Sequence, residues 1–230
     1  MFSEVFLAVT GREMAEFTPQ KTAYLSCHFS PYGSGLSNLP AFLPKDSLLL
    51  VDDSMPPKEH DPNIVAKQLK EVVEKFSIKC ILLDFQNAPT EETEAMARHL
   101  VNTLSCSVGV TKEYGKKLQC PVFLPPPPLH TPIEKYLTPW LKQGVYLEIA
   151  PESTQITVTK DGAEFSPIPY IAELPLYHKR LCCHYQVEVL EDKAIFTLTR
   201  SKKDLIALVQ KVEQMGALGV VGLYQELKGI

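Results

Sequence analysis

The chain has 230 residues, of which 45% are hydrophobic and 22% charged, with a net charge of −4 and a pI near 5.9. That is enough apolar material for one sizeable core, and we read 1–230 as a single domain. The acid excess and the lack of a Lys/Arg stripe argue against nucleic acid as a partner, since neutralising phosphates needs clustered cations.

The opening stretch carries an early acid, Glu4, with no cationic leader and no small-residue cleavage site, and it predicts a first strand at 5–10. No apolar run approaches the ~20 residues needed to cross a bilayer, so a soluble protein without a membrane partner is expected. A second strand at 23–29 leads past His28 and Tyr32 into Gly33-Ser34-Gly35-Leu36-Ser37-Asn38. Such a loop suits a lid or an anion cradle, and its lack of Lys and Arg favours the lid.

The clearest unit runs over 47–104. Leu48-Leu49-Leu50-Val51 stops at Asp52-Asp53, and after a loop Asp61-Pro62 offers an N-cap with proline at the first helical position. Val65, Leu69, Val72, Val73 and Phe76 then recur at helical spacing. A strand returns at 78–86, and Asn87-Ala88-Pro89-Thr90 leads to a second helix whose first turn, Glu91-Glu92, suits the positive end of the dipole. Asn87 there either shapes this turn or meets a ligand. Strand, helix, strand, helix at this spacing is right-handed parallel βαβ architecture.

Further on the helices thin out. Strands are predicted at 107–110 and 121–124, and Pro125-Pro126-Pro127-Pro128 must be extended, as a rigid rim loop or as a polyproline ligand for a partner. His130 beside it is either a surface residue or a base. A short helix over 133–141 precedes a strand at 144–148, and 155–163 reads as a hairpin turning at Asp161-Gly162. The segments 185–189 and 194–198 form another two-stranded element with one wet face. The helix 204–215 ends at Gly216 and Gly219 before a last strand over 220–226.

Eight candidate barrel strands result, at 5–10, 23–29, 48–53, 81–85, 108–110, 122–124, 145–149 and 220–224. They fit a (β/α)8 TIM-like barrel with some helices lost or shortened and small antiparallel insertions. An open doubly wound sheet is the alternative, weakened by the lack of a Gly-rich phosphate loop after the first strand. Cys27, Cys80, Cys106, Cys120, Cys182 and Cys183 show no CxxC spacing and sit in or beside strand-like runs, so reduced thiols and a cytoplasmic location are expected. Adjacent residues such as Cys182-Cys183-His184 and Cys27-His28 point to opposite faces of a strand, so no metal and no cofactor is expected.

Four apolar runs end on carboxylates: Asp52-Asp53, Asp84, Glu148 and Glu226. In a parallel barrel, such strand ends open together on one rim, where ligands bind. The segment Lys79-Cys80-Ile81-Leu82-Leu83-Asp84-Phe85-Gln86 resembles the fourth-strand signature of the family 18 glycoside hydrolases, the chitinase-like TIM barrels. The last Asp and the aromatic of that signature stand here as Asp84 and Phe85. Lys79 and Leu82 replace its other two Asp residues, and Gln86 replaces its acid.

The resemblance implies the barrel and a sugar or small polar ligand. A glutamine amide has no dissociable proton near neutral pH, so a glycosidase here needs other acids. Two carboxyls are required, about 5–5.5 Å apart for retention or about 6.5–9.5 Å for inversion. The expected pair is Asp84 with Glu148. Asp53, Gln86, Glu226 and His28 are candidate hydrogen-bonding groups for substrate, and Phe85 and Tyr224 are candidate stacking surfaces. The alternatives are a non-catalytic barrel that binds carbohydrate or protein after losing the general acid, and a metal-dependent hydrolase using Asp52, Asp53, Asp84 and His28.

Overall fold

The structure, a computed structural model, describes residues 5–17, 19–55 and 60–228. Its strands begin with β1 (Val5–Val9), β2 (Thr22–Phe29), the two-residue β3 (Leu36–Ser37), β4 (Leu48–Asp52), β5 (Cys80–Asp84), β6 (Ser107–Thr111), β7 (Val122–Leu124) and β8 (Val145–Ile149). An antiparallel insertion follows, made of β9 (Glu152–Thr159), β10 (Gly162–Pro167), β11 (Leu176–His178), β12 (Cys183–Val189) and β13 (Lys193–Arg200). The last strand is β14 (Gly219–Leu223).

Eight strands pair in parallel in the cyclic order β1, β2, β4, β5, β6, β7, β8, β14 and back to β1. The pairing of β1 with both its neighbours shuts the cylinder, which removes the open-sheet alternative. All eight strands predicted from apolar runs are in the wall.

The helices are α1 (Gly11–Glu16), α2 (Pro62–Phe76), α3 (Glu91–Thr103), α4 (Lys112–Gly115), α5 (Ile133–Leu137), α6 (Lys202–Gln214) and α7 (Tyr224–Leu227). Only α2, α3 and α6 reach three turns, as their complete amphipathic repeats demand. Asp61 accepts from the Asn63 amide at 2.8 Å to start α2, and Thr90 accepts from the Thr93 amide at 3.3 Å to start α3. Their apolar stripes, Val65, Leu69 and Val72 on one and Met96, Ala97 and Leu100 on the other, pack on the outer wall around Leu49, Val51, Ile81 and Leu83.

Strand alternation sends the other set inward. Phe6, Leu48, Leu50, Cys80, Leu82, Phe123 and Tyr146 fill the lumen as a separate cluster. Gly109 stands on that inner face, where a Cβ would meet Leu82 at 2.8 Å.

The two predicted antiparallel pairs do not stand apart. β9 pairs with β13 from Glu152 to Thr159, joining them in one five-stranded sheet ordered β10, β9, β13, β12, β11. Arg200 pins this sheet to the barrel. Its fully buried guanidinium donates to the carbonyls of Pro127 (2.8 Å), Leu181 (3.2 Å) and Cys182 (3.3 Å) and to Glu152 Oε1 (2.8 Å). The proline run thereby becomes a fixed wall after β7. No helix among the described residues is long and apolar enough to cross a membrane.

Candidate active site

The inner-face parity of each strand decides which rim residues look into the barrel. Cys80 and Leu82 point inward, so Asp84 does too, and Tyr146 carries Glu148 inward in the same way. Both carboxyls line one cleft of about 340 Å3 together with Gln86, Thr111, Lys112 and Phe123. Thr111 Oγ donates to the Phe85 carbonyl at 3.0 Å and fixes the turn above β5.

The two acids hold their protons unusually well. Burial pushes Asp84 up to about 6; the Gln86 amide, which donates to it, opposes that rise, and the charges of Asp52 and Asp53 add to it. Glu148 is pushed up to about 7, first by burial and then by the charges of Asp84 and Glu226. Tyr136, near Glu148, is held neutral, pushed up to about 12 chiefly by burial.

Other expected site residues have different surroundings. Asp53 has the parity of Val51 and turns outward, where it is buried. Its two oxygens accept the amides of Gln86 (2.8 Å) and Asn87 (3.1 Å), and Asn87 Nδ2 donates to its carbonyl at 3.0 Å. Asp53 is therefore an anchor for the β5–α3 loop and has no face toward a substrate. Phe85 shares the outward parity of Leu83. Its ring is buried between Phe29 and Tyr114, with centroids at 5.8 and 5.4 Å, so the ring packs in the core although the residue lines the cleft.

β14 ends at Leu223, so Tyr224 and Glu226 lie on the turn of α7 beyond the strand. Tyr224 stacks on Phe17 at 5.1 Å. Glu226 reaches the site through its charge on Glu148, and its Oε2 is buried with no donor among the described residues. His28 lies in register with Asp52, and Asp52 with Asp84, in one inward row across β2, β4 and β5. Its Nδ1 lies 3.1 Å from the Ser26 carbonyl, outside the walls of the Asp84–Glu148 cleft.

The glycine-bearing loop after β2 is tied down. Gly35 N–H donates to His60 Nδ1 at 3.0 Å, and Leu36 N–H to Gln68 Oε1 at 2.7 Å, which leaves neither amide for an anion. His130 packs on Phe165 of the insertion, with centroids at 4.5 Å.

Asp52, Thr111, Lys112, Phe123 and Tyr136 belong to the rim without having been singled out as substrate contacts by sequence. Asp52 had a usable signal, since counting by twos from Leu48 and Leu50 reaches it and not Asp53. Among the described residues no group of three or more His, Cys, Asp and Glu side chains is arranged to hold a metal.

No family model matches the chain, and no curated protein matches it in sequence. Solved structures do. The chain is similar to a glycoside hydrolase family 18 N-acetylglucosaminidase from Paenibacillus barengoltzii, at 10% identity and TM-score 0.56, with 97% of each chain covered. It is also similar to a family 18 chitinase from Cycas revoluta in complex with (GlcNAc)4, at 9% identity and TM-score 0.58, covering 94% of this chain and 93% of that one. A third is the Bacillus cereus spore cortex-lytic enzyme SleL, at 12% identity and TM-score 0.52, covering 95% and 70%. At these identities the likeness shows the fold alone, a TIM-like barrel that the chain shares with these structures.

Proposed function

We propose that the cleft hydrolyses a glycosidic bond of a sugar or related small polar substrate, with Glu148 as general acid and Asp84 as its ionised partner. The observation that carries this is the pair itself: two inward carboxyls in one cleft, one held to about 6 and the other to about 7. Both carboxyls are raised toward neutrality in one cleft, so the pair holds one proton between them there; the reading gives that proton to Glu148 and the charge to Asp84, the division of labour such chemistry needs. Glu148 gives its proton to the glycosidic oxygen as the bond to the anomeric carbon breaks and its electron pair leaves with that oxygen; a water then bonds to the anomeric carbon and returns a proton to Glu148. The carboxylate of Asp84 faces the positive charge that develops on the sugar ring. Gln86, at the position of the family acid, has no proton to give and serves by orienting Asp84.

A second reading rests on that same glutamine: the barrel binds a sugar without turning it over. Release of 4-nitrophenol from aryl glycosides, and thermal shift with chitooligosaccharides, separate the two. The hydrolase reading expects release by the wild-type chain and a loss of about a hundredfold or more in Glu148→Gln and in Asp84→Asn. Turnover surviving in Glu148→Gln overturns the assignment of the acid. A sugar-induced thermal shift without any release establishes the binding reading instead.

A further inference from the structure

Away from the cleft, His184 of β12 and Asp204 of α6 form a dyad. His184 Nδ1 lies 2.9 Å from Asp204 Oδ1 and 3.1 Å from Oδ2. Asp204 is only 4% exposed, and Ser201 donates to its Oδ2 through both N–H and Oγ–H at 2.8 Å. Buried among donors, this carboxylate accepts a hydrogen bond from the imidazole Nδ1–H and fixes the ring, as an orienting acid does for a working histidine. Nε2 is left as the free nitrogen; no partner for it is found among the described residues, and the side chain retains 33% exposure.

His184 lines a separate cavity of about 390 Å3 with Tyr170, Glu173, Leu174, Lys202 and Lys203. That volume is within the range of small-molecule sites. Two lysines line it with the imidazole, against the carboxylates of Glu173 on the wall and of Asp204 behind the ring, so the protonated imidazole is what tips the balance toward an anion. Lys202 Nζ donates to the Lys228 carbonyl at 2.9 Å and has two further protons to offer. Lys203 Nζ sits 3.8 Å from Glu173 Oε1 in a pair exposed at both ends, which solvent screens and a ligand can displace. Tyr170 and Leu174 supply an apolar side.

We infer that this cavity binds a small organic anion, a phosphomonoester or a carboxylate, with its oxyanion on His184 Nε2 and the two lysines and its body against Tyr170 and Leu174. Binding is tightest when the imidazole is protonated, because Nε2 then donates. The other groups around the ring are Asp204, Lys202 and Lys203 of α6, Thr199 opposite on β13, Tyr177 of β11 with its ring 5.0 Å away, and Glu173 and Tyr170 from the segment before β11.

Phenyl phosphate is the probe, with phenol and inorganic phosphate as the controls lacking charge and body. The histidine ring signals of the full chain are followed by NMR across pH with and without each compound. The expected result is a saturable shift of the His184 signal with phenyl phosphate, tighter at acid pH than at alkaline pH, and weaker binding of both controls. His184→Gln and Lys202→Ala/Lys203→Ala should each lose about tenfold or more in affinity. No saturable shift at His184 in the wild-type chain overturns the inference, and that reading needs no variant to fold. Equal binding of phenol, or undiminished affinity in a folded His184→Gln, overturns it as well.

Discussion

Glu148→Gln separates what the cleft does from what it costs the fold. Glu148 loses its proton at an ordinary value of 4.5 in the unfolded chain and at about 7 in the folded one. At about 1.4 kcal/mol for each tenfold, full ionisation in the folded state costs about 3 kcal/mol, which solvent entering the open cleft trims to about 2. The folded chain binds this proton more tightly than the unfolded one, so the contribution is fully present below 4.5 and is lost as pH rises through 7. Glutamine is uncharged throughout. The variant should therefore gain about 2 kcal/mol at about pH 8, worth roughly 4–8 °C in melting temperature for a chain of this size, and almost nothing at about pH 4. Calorimetric melts of both proteins at the two pH values measure it, alongside the loss of turnover. A variant that melts no higher than wild type at the alkaline pH, or gains equally at both, refutes the buried-acid account of Glu148.

The rate should follow a narrow bell. kcat/KM falls below about 6 as Asp84 takes up a proton and above about 7 as Glu148 gives one up, and Gln86→Glu, by removing the amide that holds Asp84 down, should move the acid limb upward in a pH-rate profile. Asp53→Ala deprives the Gln86 and Asn87 amides of their charged acceptor; a loss of about 3 kcal/mol in urea melts and a clear fall in turnover are expected, with wild-type values for both refuting the anchor role. Arg200→Ala leaves three carbonyls and Glu152 without a buried partner and should lose about 3–5 kcal/mol, with Arg200→Lys failing to restore it because an ammonium cannot span the same four acceptors.

The barrel wall is legible in the sequence because strands buried on both faces must be apolar end to end, and runs such as Leu48-Leu49-Leu50-Val51 or Ile81-Leu82-Leu83 have no other explanation. The helices are legible where a full repeat exists, in α2, α3 and α6. The site is legible to the level of the strand end, and parity then decides. Asp84 and Glu148 have the parity of lumen residues, whereas Asp53 and Phe85 are each one residue past it and face the helices. Glu226 is displaced because the chain turns helical after Leu223, which an apolar run does not announce. The union of two hairpins into one sheet, and the part played by Arg200, depend on contacts between segments far apart in the chain, to which local periodicity is blind.

The seam between β1 and β14 sets a condition on how this molecule folds. Val5 pairs with Val220, so the last ladder to form brings together residues separated by nearly the whole chain, and its loop-closure entropy is met only after the other strands are in place. Until then β1 carries an unsatisfied apolar edge of five residues, Val5 to Val9. Nascent or refolding chains are accordingly most prone to self-association before that final closure, and a molecule with the seam unzipped is the form that proteases and chaperones would meet.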